Sequence, residues 1–225
     1  MILEAIKFSN SFFVRNFIRI VFICAIPILF ISIFQLAIDP LPWDNLTELS
    51  FTTLVFQSIN ILFQIAFLSL SILLINDLSN DKSQTIVNYL FKCSFFVPTL
   101  TLAYFFVASV VSFGIILFIL PGVYLLGRFI YLPFVVVLDN RKFSESLKLA
   151  QTYAKKEAWL LGSAAFFLYF VYFFITVTFG SIFFDPNKEV IPPQFLFFIY
   201  LSSFLFQIYF NIFIFSLYKN REKNK

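Results

Sequence analysis

The chain has 225 residues, 60% hydrophobic and 12% charged, against roughly 45–50% and about 25% in an ordinary soluble domain. That leaves too little polar surface to cover a water-facing globule, which excludes a soluble domain. With no His and a net charge of only +4, the chain also lacks the most versatile acid–base group and the commonest metal ligand.

Six apolar stretches, 17–36, 51–75, 95–120, 122–137, 159–182 and 195–217, read as helices crossing a bilayer core of about 30 Å. The first follows a basic segment, but Phe34, Gln35, Leu36 and Ala37 offer no small-x-small site, so it reads as an uncleaved helix. The third is long and the fourth short. They meet at Pro121-Gly122 with no charge between them, which predicts a tight turn at the far interface. Trp43 and Trp159 fall near opposite faces, where indole rings favour the headgroup level. Cys24 and Cys93 lie within or beside apolar segments without a pairing pattern, and read as small buried residues. The 37 Phe residues read as replacements for Leu on lipid-facing positions, since lipid accepts both.

Charge sets the orientation. One side of the predicted membrane holds Lys7, Arg15, Arg19, Lys82, Lys92, Arg141, Lys142, Lys148, Lys155, Lys156, Lys219, Arg221, Lys223 and Lys225. The other holds Asp39, Asp44, Glu48, Asp185 and Glu189 with Lys188 as its one base. This bias places the basic side, with both termini, in the cytoplasm. The positive charge is therefore a topology signal and gives no reason to expect nucleic acid. The acidic outer residues match no calcium-loop spacing, and exclusion of bases from that side explains them.

Short polar stretches with helical periodicity precede the odd-numbered spans. In 140–157, Phe143, Leu147, Ala150 and Ala154 share one face while Arg141, Glu145, Lys148, Thr152 and Lys155 take the other. A basic amphipathic helix of this kind lies in the membrane interface and favours anionic lipid, which makes Arg141, Lys142, Lys148, Lys155 and Lys156 candidate lipid-interface residues. The stretch 83–92 repeats the pattern, and 2–14 does so weakly. The fold expected is all-α: a polytopic transmembrane bundle of about six spans with short cytoplasmic amphipathic helices. It forms a single integral membrane domain over 1–225, divisible into three hairpin units at 1–76, 77–138 and 139–225.

Arg128 is the one ionisable residue well inside a predicted span. An Arg near a helix centre costs about 2.5–3.5 kcal/mol on insertion scales, so it should face the bundle or a wet cavity. No carboxylate lies within the spans to pair with it. On the second span Gln57, Asn60 and Gln64 form one polar stripe, and on the sixth Gln207 and Asn211 are i, i+4 neighbours. Such amides seek partners across helices in hydrocarbon, so a polar core of Arg128 with these five is expected. It serves either as helix glue or as a binding point for an anion such as a lipid phosphate or small carboxylate. A Ser–His–Asp triad cannot be written without His, and neither H-E-x-x-H nor a glycine-rich nucleotide loop is present. The expectation is no enzyme, no cofactor and no metal site.

The stretch LPGVYLLGRFIYLPFVVVLDN followed by SESLKLAQTYAKKEAWLL resembles the YciC-like inner-membrane proteins and the related membrane domain of some bacterial glycerophosphodiester phosphodiesterases. Their pattern is a Pro-Gly turn, a short helix often holding an Arg, a Pro near its exit, then a basic amphipathic helix before a Trp. Pro121, Gly122, Arg128, Pro133, Leu147 and Trp159 match it, whereas Ala150 and Lys156 replace a common Ser and Gly. The resemblance implies a bacterial inner-membrane address and six helices, and it carries over no activity. The expected function is a non-enzymatic envelope protein with a lipid-interacting or scaffold role. Its expected partners are anionic lipids and either another membrane protein or further copies of itself. The alternative is a small-solute or anion transporter or channel with Arg128 at its binding point.

Overall fold

The computed structural model describes residues 1–38, 51–82, 84–183 and 193–222. Trp43, the acidic residues Asp39, Asp44, Glu48, Asp185 and Glu189, and the bases Lys188, Lys223 and Lys225 lie outside them. All regular structure among the described residues is helical: α1 (Ile2–Ile38), α2 (Phe51–Ser79), α3 (Ile86–Leu117), α4 (Ile119–Phe129), α5 (Leu132–Leu138), α6 (Phe143–Ala154), α7 (Ala158–Phe183) and α8 (Pro193–Glu222). Among the described residues, six helical segments are long and apolar enough to cross a membrane, α4 and α5 together making one of them. The chain is a polytopic helical membrane protein.

The 37 residues of α1 extend about 55 Å at 1.5 Å per residue, well beyond a hydrocarbon core of about 30 Å. Ala5, Ser9, Phe12, Ile20, Cys24, Ile28 and Ile31 are buried along it, a stripe at three- and four-residue spacing that follows one face of the helix. The predicted interfacial segment 2–14 is therefore the first turns of α1 itself. Likewise 84–92 leads straight into α3, whose first turn is capped by Thr85 accepting from the Asn88 amide at 3.4 Å. Only the third such segment forms a separate helix, α6.

The break between α3 and α4 falls at Phe118, whose extended backbone (φ −164°, ψ 146°) caps both helices. The turn expected at Pro121-Gly122 is instead the opening turn of α4. Proline is tolerated there because a first-turn N–H has no intrahelical partner to lose. Gly122 serves close packing: a Cβ on it would lie 2.9 Å from the Ile115 nitrogen, and one on Gly114 2.9 Å from the Gly122 Cα. Pro133 stands in the first turn of α5 in the same way.

The core runs along α8. From Phe210 through Tyr218 every residue is buried, and α8 packs on both α1 and α2. The Tyr218 ring sits 5.9 Å from each of Tyr131, Phe134 and Tyr153, and its hydroxyl donates to Asp139 at 2.9 Å. By contrast α7 leaves Phe167, Phe170, Phe173 and Phe174 exposed. A face so apolar has a natural solvent in lipid tails.

Candidate functional site

Among the described residues, a cluster of charged and polar groups forms where α2 ends, α3 and α6 begin and α8 finishes. The α2–α3 turn is built around Asp77, 8% exposed. Its carboxylate accepts from Gln84 and from the Tyr89 hydroxyl (3.1 Å), and its carbonyl accepts from the Asn80 and Lys82 amides at 3.0 and 2.9 Å. A buried carboxylate needs such donors because burial removes its hydration. On the α8 side, Lys219 Nζ donates to Ser79 Oγ at 3.1 Å and stands 5.5 Å over the Phe215 ring. Arg221 pairs with Glu157 just before α7, both about a quarter exposed, and the buried Tyr131 phenol lies against the guanidinium.

Helix α6 lies against α3, α4 and α5. Ser146, Ala150 and Ala154 are buried, Phe143 and Leu147 half-buried, and Phe143 meets Phe106 at 5.7 Å between ring centroids. Arg141, Lys142, Lys148, Lys155 and Lys156 are all exposed. Of these only Arg141 is engaged among the described residues, with Glu145 at 3.8 Å. Ser146 adds an anchor that periodicity alone did not mark: its hydroxyl donates to the Arg141 carbonyl at 3.2 Å.

Arg128 lies in the last turn of α4, half-buried, where its charge complements the helix dipole. The preceding Gly127 meets α7 backbone to backbone: a Cβ there would overlap the Ala158 carbonyl oxygen and fall 2.6 Å from the Gly162 nitrogen. This sets the Arg128 backbone level with the start of α7, one residue after Glu157. No hydrogen bond or ion pair among the described residues joins Arg128 to any of the five expected amides. Those amides divide into two groups. Asn211 donates to Ser71 Oγ at 2.7 Å, and Ser71 donates on to the Leu68 carbonyl at 2.8 Å. Asn211 and the half-buried Gln207 line a cavity of about 330 Å³ with Tyr104, Ser112 and Tyr169. Gln57, Asn60 and Gln64 lie half-buried further along α2, and the Asn60 Oδ1 is buried without a hydrogen-bond partner.

Sequence reading missed Asp77, the Glu157–Arg221 pair and Ser71. Asp77 had a local signal, an acid just past an apolar run followed by Gln84 and Tyr89. The other two join distant helices and leave no local trace.

A UPF0259 membrane protein from Buchnera aphidicola subsp. Schizaphis graminum (strain Sg) is 26% identical over 146 residues, 64% of this chain and 57% of the relative. The chain thus matches little more than half of that relative's length. No family matches the chain, and no solved structure does. With six membrane-length helices and a membrane-protein relative, the chain is an integral, multi-pass membrane protein.

Proposed function

We propose that this protein is a non-enzymatic component of a bacterial inner membrane, of the YciC-like kind, with both termini cytoplasmic, and that it gathers anionic lipid around its basic end. The observation that carries this reading is α6: its small and apolar side chains are packed on the bundle while all five of its flanking and surface bases are exposed. A base held near an anionic membrane surface contributes about 1 kcal/mol, so five on or beside one short helix bias the local lipid composition strongly.

The test is reconstitution into phosphatidylethanolamine discs containing a minor fraction of phosphatidylglycerol, followed by lipid analysis of the annulus retained on gentle extraction. Wild type should be enriched in phosphatidylglycerol, and a variant with Arg141, Lys142, Lys148, Lys155 and Lys156 changed to Gln should return to the bulk ratio. A bulk ratio for wild type removes the proposal.

A second reading is favoured by one observation, that Arg128 has no ion-pair partner among the described residues. In it, Arg128 binds a small anion in transit. Solute flux lost in Arg128→Gln, with the protein still in the membrane, is the result that selects it.

A further inference from the structure

A cleft of about 680 Å³ opens between the first half of α1, the end of α2 and the last turns of α8. Arg15 and Arg19 enter it from α1 and Lys219 from α8. At i, i+4 spacing the two arginines stand about 6 Å apart along the helix, and like charges so placed destabilise a helix unless a counter-charge sits between them. Neither arginine has an ion-pair partner among the described residues, nor does Lys219. The cleft also holds two carboxylates: Glu4 is engaged by the N-terminal amine at 3.1 Å, and Asp81 lies on the exposed turn. The cleft therefore carries surplus positive charge, with Lys219 already fixed by Ser79 and the Phe215 ring.

The floor is apolar, made by Phe12, Leu78 and Phe215. Arg19 is also the last charge before an uncharged run from Ile20 to Phe34, which sets it at headgroup depth. Guanidinium groups match phosphate oxygens in paired, charge-assisted hydrogen bonds. A free phosphate would satisfy the cations and leave the aromatic floor bare. A phospholipid uses both, its phosphodiester among the bases and its glycerol and first methylenes on the floor.

We propose that this cleft is a one-lipid binding site for an anionic phospholipid, whose phosphate is held by Arg15, Arg19 and Lys219 and which ties α1 to α8. The proposal rests on the lipid-interacting reading above but assigns different residues from those of α6, so the two fail separately.

The experiment is native mass spectrometry and thermal unfolding of the full chain in a neutral detergent, titrated with phosphatidylglycerol, phosphatidylcholine or inorganic phosphate. Wild type should retain one phosphatidylglycerol per chain and melt higher with it. Since each lost hydrogen bond to a charged group is worth about tenfold or more, Arg15→Gln/Arg19→Gln should weaken retention by at least tenfold. Both arginines are exposed and their mutual repulsion is small, so the lipid-free melting of that variant should equal or slightly exceed that of wild type. Asn220→Glu, at an exposed position of the cleft, should expel the lipid without removing any buried contact. The α6 variant with five neutralised bases should keep the single lipid while losing annular enrichment. Equal retention by wild type, the double variant and Asn220→Glu overturns the site, and a stabilisation reproduced by inorganic phosphate alone overturns its assignment to a lipid. Annular enrichment without a retained lipid overturns this inference and leaves the α6 reading standing.

Discussion

Gly127 and Ala158 bring α4 and α7 into backbone contact, with no room for a Cβ at residue 127 beside the Ala158 carbonyl oxygen. Gly162 completes the crossing, since a Cβ there would overlap the Val123 carbonyl and lie 3.1 Å from the Gly127 nitrogen. Small residues at such a crossing let helices gain dispersion and backbone contact where lipid removes the hydrophobic driving force.

Gly127→Leu should therefore destabilise the protein by about 2 kcal/mol or more, at the upper end of overpacking costs. Gly162→Leu should do the same, whereas Ser163→Ala on the exposed side of α7 should fall within about 0.5 kcal/mol of wild type. Thermal unfolding in a fixed detergent reads all three. Three equal melting temperatures would show that the helices do not cross at these glycines.

The Asn211–Ser71 hydrogen bond predicts non-additivity. A double-mutant cycle with Asn211→Ala and Ser71→Ala should return a coupling of about 0.6 kcal/mol, and no more than about 1.7, the range found for hydrogen bonds between membrane helices. Strict additivity would mean the two side chains do not meet.

Removing one partner of the Glu157–Arg221 pair strands the other beside Tyr131. Glu157→Gln should cost about 1–3 kcal/mol, less than the 3–5 of a fully buried pair, because each group keeps some access to solvent. The exchanged pair Glu157→Arg/Arg221→Glu should recover part of the loss in melting temperature. A swap no better than either single change would place the energy in packing.

Asp77 predicts a local effect. Asp77→Ala leaves the half-buried Gln84 and the buried Tyr89 hydroxyl without their acceptor, at about 1–3 kcal/mol for the buried hydroxyl left unpaired. Tyr89→Phe removes one hydrogen bond and should cost about 1 kcal/mol. Amide exchange in residues 80–85 should quicken more in the first variant than in the second. Unchanged exchange in both would remove Asp77 as the organiser of the turn.

The six spans were legible because length and hydropathy alone decide whether a helix can cross a bilayer. The face of α6 was legible for a similar reason: Phe143, Leu147, Ala150 and Ala154 recur at helical spacing, and they are the side chains the fold covers. Pro121-Gly122 misled because the pair serves a first helical turn as readily as a loop, and only the approach of Ile115 distinguishes the two. The cleft of Arg15, Arg19 and Lys219 and the Gly127–Gly162 crossing depend on which helices become neighbours. No local periodicity encodes that choice. The grouping of Arg128 with five amides rested on the tendency of polar side chains to pair across helices in hydrocarbon, whereas no hydrogen bond or ion pair among the described residues joins Arg128 to them.

The burial of α8 has a consequence for biosynthesis. Its Tyr209 hydroxyl donates to Asn10 at 2.7 Å across a separation of 199 residues. At about 5–20 residues per second, α1 then waits on the order of 10–40 s between its own emergence and that of its main packing partner. Through that interval the faces of α1 and α2 that α8 covers lack that partner, so the bundle closes only once α8 has joined them.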